Sequence, residues 1–202
     1  TEKSIGSADF SGNQLEVSIQ PNSIRTYKVR FNDNKKEELR CEQLPLNYDR
    51  KCFSWNEFRW EANFEAGYSY AAELIPADIT VNRVPFHLET KEEMNGMLCS
   101  GNTLQLPAGH SYNRLYILAA AAEDVRGVFQ TGKNLQEIVV PSYTGFIGQW
   151  GHTGHTQGYL KDVEVAYVGT HRHSAEGDHA YEFTYMFKFA IDIPAKATEV
   201  IL

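Results

Sequence analysis

The stretch Tyr181-Glu182-Phe183-Thr184-Tyr185-Met186-Phe187-Lys188-Phe189-Ala190-Ile191-Asp192-Ile193 decides the fold class. Phe183, Tyr185, Phe187, Phe189, Ile191 and Ile193 share one parity, whereas Glu182, Thr184, Lys188 and Asp192 take the other. Side chains alternate across a strand, so a period of two over this length predicts a strand with one face on a core.

Working outward, the same grammar recurs. Leu15, Val17 and Ile19 alternate with polar residues, Pro21-Asn22-Ser23 supplies a turn, and Tyr27, Val29 and Phe31 alternate again, which predicts a hairpin over 13–31. Short strands are expected near 70–75, 79–88, 97–106, 113–121 and 126–130. Asn82-Arg83 joins Ile79-Thr80-Val81 to Val84-Pro85-Phe86, and Ser100-Gly101-Asn102 joins Met97-Leu98-Cys99 to Leu104-Gln105-Leu106; both read as tight hairpins. Leu115 to Ala122 is nearly all apolar and reads as a strand covered on both faces. No stretch carries a helical period capped at both ends. The expected fold is therefore all-β: an antiparallel β-sandwich of jelly-roll or galactose-binding-like type. The polar run from Asn32 to Arg40 is the best boundary, giving a strand remnant of a preceding β-domain at 1–31, a linker at 32–40 and the sandwich at 41–202.

Charge and composition narrow the function. The net charge is −7, which argues against nucleic acid or an anionic membrane as partner, since both need a basic face. No apolar run reaches the roughly 20 residues of a membrane-spanning helix. Thr1-Glu2-Lys3-Ser4 lacks the start of a signal peptide and has no initiating Met, so the N-terminus reads as a cut end within a longer protein. Cys41, Cys52 and Cys99 are odd in number and imply no disulfide framework; small buried thiols are expected.

The chemistry-bearing candidates cluster late. His171 and His173 have HxH spacing, which on a strand puts both on one side, where they could share a zinc ion with His155 or His179 as a third ligand. Solvated loop histidines give the same pattern, and no HExxH motif is present. Asp49, Glu73 and Asp178 are the least surface-like acids by context, but nothing marks them as a glycosidase pair. No GxSxG, Walker or GxGxxG motif occurs, so the chain is not expected to hold a complete active site. Trp55 and Trp60, in Phe53-Ser54-Trp55-Asn56-Glu57-Phe58-Arg59-Trp60, and Trp150 either plug the ends of the sandwich or line a sugar site. His171, Arg172, His173 and Asp178 sit where a strand meets a Gly-containing loop, a usual place for function; Arg172 and Asp178 could instead pair and pin that loop.

Several segments, in order, resemble one family. They are Pro21-Asn22-Ser23-Ile24-Arg25-Thr26-Tyr27-Lys28-Val29, Ala71-Ala72-Glu73-Leu74-Ile75-Pro76, Val84-Pro85-Phe86-His87-Leu88, Gly145-Phe146-Ile147-Gly148-Gln149-Trp150 and Thr170-His171-Arg172-His173-Ser174-Ala175-Glu176-Gly177-Asp178. Together they resemble the C-terminal β-sandwich region of bacterial family-38 glycoside hydrolases, the α-mannosidases. The His/Gly-rich loop from Gly151 to Gly158 departs from that pattern. The resemblance implies a non-catalytic accessory domain that packs on the rest of a parent α-mannosidase chain and aids recognition of mannose-containing glycans, or an autonomous carbohydrate-binding module. It implies that the parent's catalytic domain uses zinc, and that this chain carries no catalytic residue or cofactor of its own.

Overall fold

The computed structural model describes residues 6, 10–11, 14–15, 17, 20–22, 26–27, 39–91, 93–145, 148–149 and 159–202. The chain divides into two compact units, Thr1–Glu38 and Leu39–Leu202. In the first, β1 (Phe10–Ser11) pairs antiparallel with β2 (Gln14–Leu15). Most of the hairpin expected over 13–31, and most of the expected linker, lie outside the described residues.

The second unit is a β-sandwich. One sheet has the order β3 (Phe53–Ser54), β4 (Ser69–Ala71), β13 (Glu164–Ser174), β14 (Gly177–Asp192), β8 (Arg114–Ala119). The other has the order β10 (Asn134–Val140), β9 (Val125–Thr131), β15 (Glu199–Ile201), β7 (Thr103–Gln105). Pairing is antiparallel in both sheets except between β3 and β4. A separate hairpin joins β5 (Asp78–Val81) to β6 (Val84–His87) through Asn82 and Arg83, at φ 48° and 69°. Two successive left-handed residues make the primed turn that suits a two-residue hairpin. Two short strands, β11 (Gly148–Gln149) and β12 (Tyr159–Leu160), also pair. Among the described residues, helix is limited to two 3-10 segments, Asn56–Glu61 and Ala72–Leu74.

The core is aromatic. Phe53, Tyr70, Ala72, Ile75, Tyr143 and Met186 are buried together, with Trp55, Phe64, Tyr68 and Tyr167 packed against them. Ring pairs Phe64–Tyr143 and Phe64–Tyr70 lie 4.6 and 5.2 Å apart between centroids. Such contacts add about 0.5–1.5 kcal/mol each beyond area burial. The Tyr70 hydroxyl donates to the Tyr185 carbonyl at 2.7 Å, so its burial leaves no polar group stranded.

Three expectations are corrected. The period of two holds for Tyr185, Phe187 and Ile191 in β14 and for Ile193 just beyond it, all buried, but Thr184, Met186 and Lys188 on the other parity are buried too. β14 lies between β13 and β8, and burial of residues of both parities shows that both of its faces are covered along this stretch. Lys188 is accommodated because its Nζ reaches Glu164 Oε2 at 3.0 Å and the Val81 carbonyl at 3.1 Å. Phe183 is 41% exposed because pairing slips between Gly169↔Thr184 and His171↔Ala180, bulging Tyr181–Phe183 out opposite Thr170. Second, no hairpin joins Met97-Leu98-Cys99 to Leu104; β7 pairs with the C-terminal β15 instead, and Gly101 N–H donates to the Leu202 carbonyl. Third, the three thiols are free, but Cys41 and Cys99 are exposed and Cys52 is half-buried, where small buried thiols are expected.

Candidate functional site

β13 alternates its side chains at one end of the five-stranded sheet, and this sorts the polar residues into two groups. Arg172 and its cross-strand partner His179 take one face, and His171 and His173 take the other. On the first face, the Arg172 guanidinium lies 3.5 Å from the Tyr68 ring centroid, donates to the Tyr143 hydroxyl at 2.8 Å, and pairs with Glu182 at 2.5 Å. Arg172 is therefore a structural clasp between core and bulge. The pairing of Arg172 with Asp178 raised above does not occur, because the two lie on opposite faces. His179 packs edge-on to Tyr68 at 5.0 Å and bonds Ser174 Oγ at 2.8 Å, so it cannot join His171 and His173.

On the second face, His173 is fully buried. Its Nδ1 sits 2.9 Å from Ser54 Oγ, which in turn sits 2.7 Å from Ser69 Oγ. Its Nε2 lies 3.1 Å from Glu73 Oε1 and 3.4 Å from Asp178 Oδ1. His171 Nε2 lies 3.9 Å from the same Glu73 oxygen. Glu73 arrives from the 3-10 turn that follows β4, which brings a carboxylate embedded in Ala71-Ala72-Glu73-Leu74-Ile75 onto the histidines. The ligand-type atoms of Glu73, His171 and His173 all fall within 4.8 Å of one another. Glu73 Oε2 and His171 Nε2 are buried without a hydrogen-bond partner.

Electrostatics follow from this packing. Burial pushes the His173 imidazole below its ordinary value, outweighing the opposing pull of Glu73 and Asp178. Burial acts to raise the Asp178 carboxyl, but Arg59 and the two histidines together hold it below the ordinary range. Arg59 grips Asp178 Oδ1 with both Nε and Nη2 at 2.8 Å. Its Nη1 donates to the Asn56 carbonyl, and Nη2 reaches Asn56 Oδ1 at 2.6 Å.

The 3-10 turn that carries Arg59 also carries Phe58 and Trp60, whose rings meet edge to face at 5.9 Å. Trp60 is 66% exposed. Trp55, by contrast, packs on the core, so of the two one plugs the sandwich and one faces water. Trp150 lies outside the described residues, as do His152 and His155. Beyond the bulge, Thr170, His171, Ala180, Tyr181 and Phe183 line a shallow groove of about 250 Å³. Asp49 has a backbone role, accepting from Leu98 N–H at 2.9 Å.

A known family accounts for this sandwich: the model of the AziU2-like beta-sandwich domain matches residues 36–202. The chain belongs to the AziU2-like β-sandwich domain family. No curated protein matches it. The AziU2-like match spans every residue of the site just described, from Ser54 to Asp178. The resemblance to α-mannosidase sandwiches rests on the ordered sequence segments alone.

Proposed function

We propose that this AziU2-like sandwich is a non-catalytic accessory domain of a larger glycoside-processing protein, of α-mannosidase type, and that it recognises carbohydrate at the end bearing Asn56–Glu61. One observation carries the reading: Trp60 is two-thirds exposed, at 66%, and follows directly in the chain on Arg59, which pairs with Asp178. A pyranose presents C–H groups to an indole face and hydroxyls around its rim. Beyond its bonds to Asp178 and Asn56, Arg59 keeps one Nη1–H for a hydroxyl, and the Asp178 carboxylate can accept from another. The pair already holds its geometry, so binding orders few side chains.

Titration of the chain with mannose and manno-oligosaccharides, followed by tryptophan fluorescence, tests this. Trp60→Ala is expected to abolish saturable binding while leaving the far-UV circular dichroism unchanged. Binding unaltered by Trp60→Ala would refute the placement.

The accessory role has support of its own. Leu135, Val128 and Val139 share one exposed face of β9 and β10, around the ion pair Arg126–Glu137. A face at a sheet edge that mixes exposed aliphatic side chains with an ion pair suits packing against the rest of the parent chain. Leu135→Lys is expected to leave the isolated domain's stability within about 0.5 kcal/mol, and to weaken its association with the remaining parent polypeptide supplied in trans. Equal association by both forms would remove this support.

A further inference from the structure

We propose that Glu73, His171 and His173 form a binding site for a first-row divalent transition metal ion, with zinc as the representative. The proposal stands apart from the carbohydrate reading. The donors come from two separated stretches of chain, the turn after β4 and the strand β13. A tetrahedral ion with bonds near 2.0–2.1 Å holds its donors about 3.3 Å apart. The His173 Nε2 to Glu73 Oε1 distance is 3.1 Å and His171 Nε2 to the same oxygen is 3.9 Å, so both carboxylate–imidazole spacings are within an ångström of that value, and all three donors lie within 4.8 Å of one another.

Two further features point the same way. Glu73 Oε2 and His171 Nε2 are buried without a hydrogen-bond partner, and a buried polar atom left so is costly. A cation among these donors gives His171 Nε2 a partner and neutralises the Glu73 carboxylate. The other ring nitrogen of His173 is anchored by Ser54 at 2.9 Å, and Ser54 by Ser69 at 2.7 Å. With Nδ1–H donated to Ser54, the Nε2 lone pair turns toward Glu73, which is how metal-bound histidines are usually oriented. Two imidazoles and one carboxylate suit zinc and its neighbours rather than calcium or magnesium, which take oxygen ligands. Asp178 stays engaged by Arg59 and is not counted among the ligands.

The test uses the whole chain after treatment with a chelator, titrated calorimetrically with Zn²⁺ and spectroscopically with Co²⁺. One equivalent is expected to bind, with a rise in the thermal midpoint and visible ligand-field absorption for Co²⁺. Glu73→Gln and His171→Gln should each weaken zinc binding by at least ~10-fold and remove the midpoint shift. A chain carrying both His152→Gln and His155→Gln should bind as the parent does, and so should His179→Gln. Should either ligand variant unfold, mass-spectrometric mapping of histidine modification in the unaltered chain decides, with zinc protecting His171 and His173. Absence of binding, binding unchanged in Glu73→Gln and His171→Gln, binding lost with His152 and His155, or no zinc protection of His171 and His173 overturns the proposal.

Discussion

Gly169 sits where β13 and β14 lose register, opposite Thr184, and its replacement by Ala is the sharpest test of how the bulge is packed. A Cβ at this position meets Thr184 Oγ1 at 2.4 Å, the Tyr167 hydroxyl at 3.0 Å and Tyr167 Cε1 at 3.3 Å. Thr184 is 1% exposed and therefore has little room to retreat. Overpacking of this kind costs about 1–3 kcal/mol. Against it stands the lower freedom of Ala in the unfolded chain, which contributes about 0.4–1 kcal/mol in favour of folding. Steric strain wins, leaving a net loss of about 1–2 kcal/mol. Urea denaturation should show a lower midpoint with an unchanged slope, and the thermal midpoint should fall by about 2–8 °C for a domain of this size. Thr184→Ala removes the obstructing hydroxyl, so Gly169→Ala should cost clearly less in that background. A Gly169→Ala protein as stable as the parent, or one destabilised equally in both backgrounds, would refute the reasoning.

Other substitutions separate competing effects. Glu164→Ala leaves the Lys188 ammonium, 6% exposed, with the Val81 carbonyl and the Tyr116 ring alone, so a loss of about 3 kcal/mol is expected in denaturant titration. Lys188→Met should cost within about 1 kcal/mol, because it releases a Glu164 that can reach water. Tyr143→Phe removes the acceptor that Arg172 Nη1 meets at 2.8 Å; a loss of about 1.5–3 kcal/mol, measured by chemical denaturation, is expected for a charged donor left short. The Asp124 carboxyl lies below its ordinary value of 3.8, first through Lys161 and then through the Ser142 N–H. Its contribution is therefore present above the unfolded pKa and is lost as pH falls through the lower folded value. Asp124→Asn should flatten the acid limb of the stability profile below about pH 4, with little change in the shape of the profile at neutral pH.

Much of the fold was legible because its signals are local. The alternation in 181–193 marks β14, and Asn82-Arg83 marks the β5–β6 hairpin. Where strand partners are distant, the reading failed. Nothing near Leu104 announces that its partner is Val200, so the local sequence favours a hairpin with Met97-Leu98-Cys99. The bulge that exposes Phe183 is equally silent, since it is defined by pairing with β13 rather than by residue type. At the site, HxH spacing correctly put His171 and His173 on one side, yet the carboxylate that meets them is Glu73, about a hundred positions away in the chain. A lone Glu in an apolar run was its one signal. Arg59 gave none, because an arginine between two aromatics reads equally well as a solvated turn residue. Neither Ser54 nor Ser69 stands out in sequence, and both matter only through the His173 ring nitrogen between sheet strands.

The decisive measurement is a titration of the chain with manno-oligosaccharides by tryptophan fluorescence, with aryl-mannoside hydrolysis followed in the same samples. Saturable binding that Trp60→Ala and Arg59→Ala each abolish, with no turnover, is the expected result. Absence of binding by a folded chain, or turnover that survives repurification, would contradict it.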